Sequence, residues 1–169
     1  IIYIVLYGML SKRMSIHGTL VGSVSGAMPI LAGYTAVTNN IDAGAIILFM
    51  ILFFWQMPEF YSIAIYRRNE YKQAGIPVMP VVKGVQSTKI QMLVYIVAFA
   101  VSAMSLSLFR YTGYIYLLVM MLMGLWWTWL GLSGFTTKND NSWARKVFRF
   151  SLVILVVFSA LISLENWIA

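Results

Sequence analysis

Four polar side chains interrupt or closely follow an apolar run, Gln56, Glu59, Tyr66 and Glu70, and Arg67, Arg68, Asn69 and Lys72 cluster around the last of them. Spacings of three, seven and four residues set the four along one helical face, provided that the helix continues past Tyr66. Such a face would line a cavity, because a polar group inside a membrane segment is costly unless it is satisfied or used. At ~1.5 Å per residue Glu59 and Glu70 would stand roughly 16 Å apart, too far to share one metal ion. Two roles follow. Glu59, about two turns inside the membrane from Arg67, is a candidate for chemistry on a buried substrate, with a neutral structural group as the alternative. Glu70 and Asn69 offer the oxygens that a hard cation such as Mg²⁺ takes together with substrate phosphate oxygens. Arginine forks and lysine ammonium groups would neutralise the rest of a diphosphate. Breaking an allylic C–O bond puts charge on that leaving group, so fixed cations lower the barrier. The same cations would also serve as an orientation signal or hold anionic lipid.

These side chains must be positioned by elements that live in lipid. Hydrophobic residues make up 61% of the chain and charged residues 10%, which excludes an ordinary water-soluble domain. Apolar runs of about 20 residues, enough to cross a bilayer core, occupy 18–37, 43–66, 90–109, 113–132 and 147–167. Residues 1–10 are apolar but too short to span and carry no signal-peptide pattern, so they read as the tail of a preceding helix. The sequence predicts an all-α integral membrane protein, with residues 1–169 forming a single transmembrane domain truncated at its N-terminus.

Charge orients it. Eleven of the twelve lysines and arginines fall on alternate connections, with Lys12 and Arg13 before the first span, five between 67 and 89, and four between 138 and 149. Only Arg110 falls on the other side, which places the basic connections in the cytoplasm and argues against nucleic acid as the partner of the +7 charge. The connection 67–89 contains Gly75, Pro77, Pro80 and Gly84 and so is not one regular helix. Its apolar residues Ile76, Val78, Met79, Val81 and Val82 predict a shaped loop against the membrane rather than a solvated linker. Pro58 frees the carbonyl of Phe54 and predicts a kink that widens the cavity. Gly22, Gly26, Ser23 and Ser25 predict close approach of a neighbouring helix, and Trp126, Trp127 and Trp129 predict core filling and an interfacial belt. Cysteine is absent, which removes thiolate metal sites and disulfides.

Trp55-Gln56-Met57-Pro58, the run from Tyr61 to Tyr66, and the block from Tyr71 through Gly75-Ile76-Pro77-Val78-Met79-Pro80 to Lys83-Gly84 resemble the haem O synthases, within the UbiA-type intramembrane prenyltransferases. Gly18-Thr19-Leu20 with Gly33-Tyr34, and Trp143-Ala144-Arg145-Lys146 with Phe148, resemble the preceding and last helices of that family. The resemblance implies a nine-helix bundle in a bacterial plasma or mitochondrial inner membrane, here the bacterial one, of which this chain would supply the last five helices. It implies Mg²⁺, farnesyl diphosphate and haem B as ligands, with haem A synthase or terminal oxidase assembly proteins as partners. Of two acidic motifs the family carries, the second is present, with Glu70 where an Asp-Tyr pair usually supplies Asp. Glu59 stands where His usually follows Trp-Gln-Met-Pro, which leaves its role open, and His17 reads as a surface residue.

On that resemblance Glu70 and Asn69 hold the metal and are catalytic with Glu59; Arg67, Arg68, Lys72, Lys83, Lys12 and Arg13 embrace the diphosphate; and Gln56, Tyr61 and Tyr66 line the acceptor pocket. The isolated 169 residues, lacking the first acidic motif, would be inactive. A prenyltransferase with another acceptor is the nearest rival. A transporter fragment, with Glu59 as ion site and the Pro/Gly loop as gate, is the rival from a different class.

Overall fold

A computed structural model describes residues 18–168, with side chains through residue 164; Ile1 to Leu10, Lys12, Arg13 and His17 lie outside it. The described chain is helical and strand-free. Five helices are long and apolar enough to cross a membrane: α1 (Gly18–Thr38), α2 (Ala43–Tyr66), α5 (Val85–Leu108), α6 (Tyr114–Ser133) and α7 (Asp140–Ile168). Two short helices, α3 (Arg68–Gln73) and α4 (Met79–Val82), occupy the Pro/Gly connection. With backbone groups satisfied within each helix, the chain suits lipid and is a multi-pass membrane protein.

Helix α2 is the centre of the bundle, in contact with α1, α5 and α7. Its apolar residues surround the axis rather than forming one stripe, as expected of a helix packed on several sides. Asp42 caps its start, accepting from Ala45 N–H at 3.0 Å and from the Tyr34 hydroxyl at 2.9 Å. The Ala45 hydrogen bond is the main influence holding the Asp42 carboxyl below its ordinary range. Trp55 Nε1 donates to the Ser151 carbonyl at 2.7 Å and ties α2 to α7. Phe99 and Trp127 meet edge to face at 5.3 Å in the core between α5 and α6. Trp127 is fully buried, whereas Trp126 and Trp129 are exposed, so the three tryptophans divide between core and rim.

Small residues set two helix spacings. Gly26 backs onto the Gln56 side chain between α1 and α2, and a Cβ at Gly124 would lie 2.8 Å from Ala100 Cβ. Gly124→Leu should force α5 and α6 apart and cost about 1–3 kcal/mol, seen as a lower unfolding midpoint in detergent; an unchanged midpoint would show that these helices do not pack as described.

The third and fifth spans begin earlier than their apolar runs, at Val85 and Asp140 rather than at 90 and 147. Helices that project past the hydrocarbon keep their hydrogen bonds while their side chains turn polar. The Pro/Gly connection is irregular as expected, and its breaks are sharp. Ile76 N–H bonds the Tyr71 carbonyl at 3.0 Å across Gly75, whose φ of +66° ends α3 in a left-handed cap. Pro80 sits in the first turn of α4, where its missing N–H costs nothing. Met79 and Pro80 are buried, whereas Val82 is exposed. Helix α2 runs through Pro58, and the Ser62 hydroxyl donates to the Pro58 carbonyl at 2.7 Å.

Candidate functional site

The ends of α2, α6 and the starts of α5 and α7 meet at the basic end of the bundle. Lys89, in the first turns of α5, is only 2% exposed. Its ammonium donates to the Gly134 carbonyl at 2.7 Å and to Asp140 Oδ1 at 2.5 Å, and lies 5.3 Å from the centre of a Trp143 ring. Trp143 Nε1 in turn donates to the Leu130 carbonyl at 2.8 Å. This cluster fixes the start of α7 against the end of α6. The charge pattern presents Lys89 as one more loop cation; the fold makes it a buried clamp.

With α7 so placed, Tyr66, Arg67 and Glu70 share an open cavity of about 540 Å³ with Arg145, Phe148 and Arg149. Arg67 Nη1 approaches Glu70 Oε2 at 3.5 Å, and both side chains are exposed. The Arg145 guanidinium lies 5.3 Å over the Tyr66 ring, and Tyr66 meets Phe148 edge to face at 6.3 Å. Three guanidinium groups therefore face one carboxylate, a balance that suits an oxyanion.

The remaining expected site residues are divided among other surroundings. Helix α2 ends at Arg67, which has left helical ψ, and Glu70 is carried by the separate α3 rather than by a continued α2. Arg68, Asn69 and Lys72 are exposed on α3 beside Glu70. Gln56 is buried against Gly26 of α1. Tyr61 donates to Gln91 Oε1 at 2.9 Å and, with Lys83, Ser87, Tyr95 and Met79, lines a second cavity of about 470 Å³ on the α5 side. Glu59 is half-buried on α2, with no hydrogen bond or ion pair among the described residues. Lys83 thus belongs with Tyr61, not with Arg67 and Glu70.

Among the described residues no group of three or more acidic, His or Cys side chains forms a ready-made metal cage. Glu70 and Asn69 nevertheless fit part of a Mg²⁺ shell. Both are exposed, both offer oxygen, and Mg²⁺ ordinarily keeps waters and substrate phosphates as its other ligands.

Arg145 and Arg149 enter the site by the fold alone, since sequence reading gives them only an orientation role. The available signal was their four-residue spacing, one turn of a helix that starts on the same side as Arg67.

The chain is 47% identical over 165 residues to protoheme IX farnesyltransferase of Edwardsiella ictaluri, covering 98% of this chain and 56% of that one. It is 48% identical to the protoheme IX farnesyltransferase of Protochlamydia amoebophila, with 98% and 58% covered. It is also 48% identical to protoheme IX farnesyltransferase 2 of Pseudomonas paraeruginosa, with 99% and 57% covered. It therefore spans somewhat more than half the length of these relatives. No solved structure matches it. The UbiA prenyltransferase family matches residues 1–153, nearly the whole of the membrane bundle, and the chain belongs to that family.

Proposed function

We propose that the complete polypeptide bearing this chain transfers a farnesyl group from farnesyl diphosphate to a vinyl group of haem B, giving haem O. The observation that carries this reading is the shared cavity of Tyr66, Arg67 and Glu70 at the end of α2, in a chain nearly half identical to protoheme IX farnesyltransferases.

The diphosphate docks beside α3. Arg67, Arg68 and Lys72 offer it cations from the end of α2 and from α3, whereas Lys83 lines the separate cavity with Tyr61 and is left out of the diphosphate site. Glu70 and Asn69 would hold Mg²⁺, which would neutralise phosphate oxygens. The allylic C–O bond breaks with its electron pair leaving on diphosphate, and the surrounding cations stabilise that charge as it grows. The vinyl π pair of haem B then forms the new C–C bond. Water adds to the resulting cation and loses a proton, leaving a hydroxyethylfarnesyl side chain. Keeping bulk water from the first cation is the task of the apolar bundle.

Tyr66 and, deeper on α2, Glu59 serve the acceptor side, whereas Tyr61 lines the other cavity and Gln56 packs against Gly26. Glu59 would take a proton or polarise the acceptor. The basic end faces the cytoplasm of a bacterial plasma membrane, as the distribution of eleven of twelve cations supports. The product would feed haem A synthase and terminal oxidase assembly. Membranes containing the complete polypeptide, supplied with haem B, farnesyl diphosphate and Mg²⁺, should yield haem O by mass spectrometry. Unchanged haem B with farnesylation of a quinone precursor instead would replace this acceptor with another.

A further inference from the structure

We propose that Arg145 and Arg149, at the start of α7, hold the two carboxylates of the acceptor, an amphipathic macrocycle with acidic groups on one edge. The inference rests on haem B as acceptor and adds the residues that orient it. Both arginines line the cavity shared with Tyr66, Arg67 and Glu70. Arg67 already faces Glu70 at 3.5 Å. Among the described residues neither Arg145 nor Arg149 has a carboxylate partner. Arg149 donates its Nε to the Arg145 carbonyl at 3.3 Å, which leaves its terminal nitrogens available.

Spacing favours carboxylates over a second diphosphate grip. The two residues are one turn apart, about 6 Å along the axis, and present two separate forks. Each fork matches one carboxylate bidentately. The cations that flank Asn69 and Glu70 on α3, Arg68 and Lys72, are the ones next to the diphosphate position.

The cavity wall supplies the rest of the recognition. Tyr66, under the Arg145 guanidinium, and Phe148 beside it offer aromatic surface to a flat macrocycle. In protohaem the vinyl groups lie away from the propionates. A ring held by its propionates at the membrane surface therefore lowers its vinyl edge along α2 towards Glu59, about 10 Å deeper than Tyr66 at ~1.5 Å per residue. The reacting carbon is thus delivered into the apolar bundle, where a farnesyl tail would lie. The two arginines are positioning residues, since they touch the substrate edge remote from the new bond.

The test is haem titration of the complete polypeptide in detergent, followed by Soret absorbance, using iron protoporphyrin IX and its dimethyl ester. The unmodified protein should bind the free acid at least about tenfold more tightly than the diester. Arg145→Gln with Arg149→Gln should abolish that preference while farnesyl diphosphate affinity is unchanged, and the Lys pair should restore part of it. Both side chains are exposed, so the fold should tolerate either pair. Equal binding of acid and diester by the unmodified protein overturns the proposal without any variant. Loss of farnesyl diphosphate affinity in the Gln pair, with haem preference intact, also overturns it and gives the arginines to the diphosphate. Haem O formed by a protein that does not distinguish acid from diester would sink this inference and keep the reaction. A clear preference for the acid without haem O would keep the inference and sink the reaction.

Discussion

Glu70→Ala in the complete polypeptide should lower haem O formation by at least about 100-fold, the loss expected when a group that stabilises transition-state charge is removed. The protein should fold as before. Glu70 is exposed and its partner Arg67 is exposed too, and an ion pair of that kind contributes about 0–1 kcal/mol at most. Glu70→Gln keeps the shape and loses the charge, so it should fall nearly as far. Glu70→Asp keeps a carboxylate one methylene shorter and should retain substantial turnover. The assay is haem O by mass at saturating Mg²⁺ and both substrates. Normal turnover by Glu70→Ala would remove Glu70 from the metal site.

Lys89→Met should produce the largest loss of stability. The ammonium is buried and bonded to Gly134 and Asp140. Methionine fills similar volume but leaves the Gly134 carbonyl, at the end of α6, without its charged donor. Asp140 is 40% exposed and partly solvated, so the cost should be nearer about 3 kcal/mol than the upper end for a fully buried pair. Asp140→Asn should be milder, because Lys89 would keep the Gly134 carbonyl. Thermal unfolding in detergent reads both. Turnover should fall with Lys89→Met beyond what lost protein explains, because the clamp sets the start of α7 and with it Arg145 and Arg149. Unaltered stability would mean that α6 and α7 are held by other contacts.

The spans were legible because lipid imposes a length and a composition that few other environments demand. Ala43–Tyr66 was bounded as observed. Helix starts at Val85 and Asp140 were not legible, because polar side chains beyond the hydrocarbon look the same on a helix as on a loop. Lys89 shows the same limit in energetic form. Its partner Asp140 is 51 residues away, and nothing local distinguishes a lysine that orients a loop from one buried in a clamp.

The polar stripe was legible in part. Helical phase placed Tyr66 and Glu70 near each other, and they do share a cavity. The same phase could not foresee that α2 would end at Arg67, or that Gln56 would turn towards Gly26. Both outcomes depend on neighbours, α1 in one case and the α3 turn in the other. Arg145 and Arg149 belong to the site because the last helix packs on α2, a tertiary fact of which their own segment shows only the four-residue spacing.

The central claim is that an anionic isoprenoid head group docks at the junction of α2 and α3 on the cytoplasmic side. The 169 residues contain no cysteine, so Gln73→Cys, exposed at the end of α3, can report on that junction once any cysteine elsewhere in the complete polypeptide is replaced. A membrane-impermeant maleimide should label it in inside-out vesicles but not in intact cells. Farnesyl diphosphate with Mg²⁺ should slow that labelling, whereas farnesol should not. Labelling from the cell exterior, or labelling that farnesyl diphosphate leaves unchanged, would contradict the account.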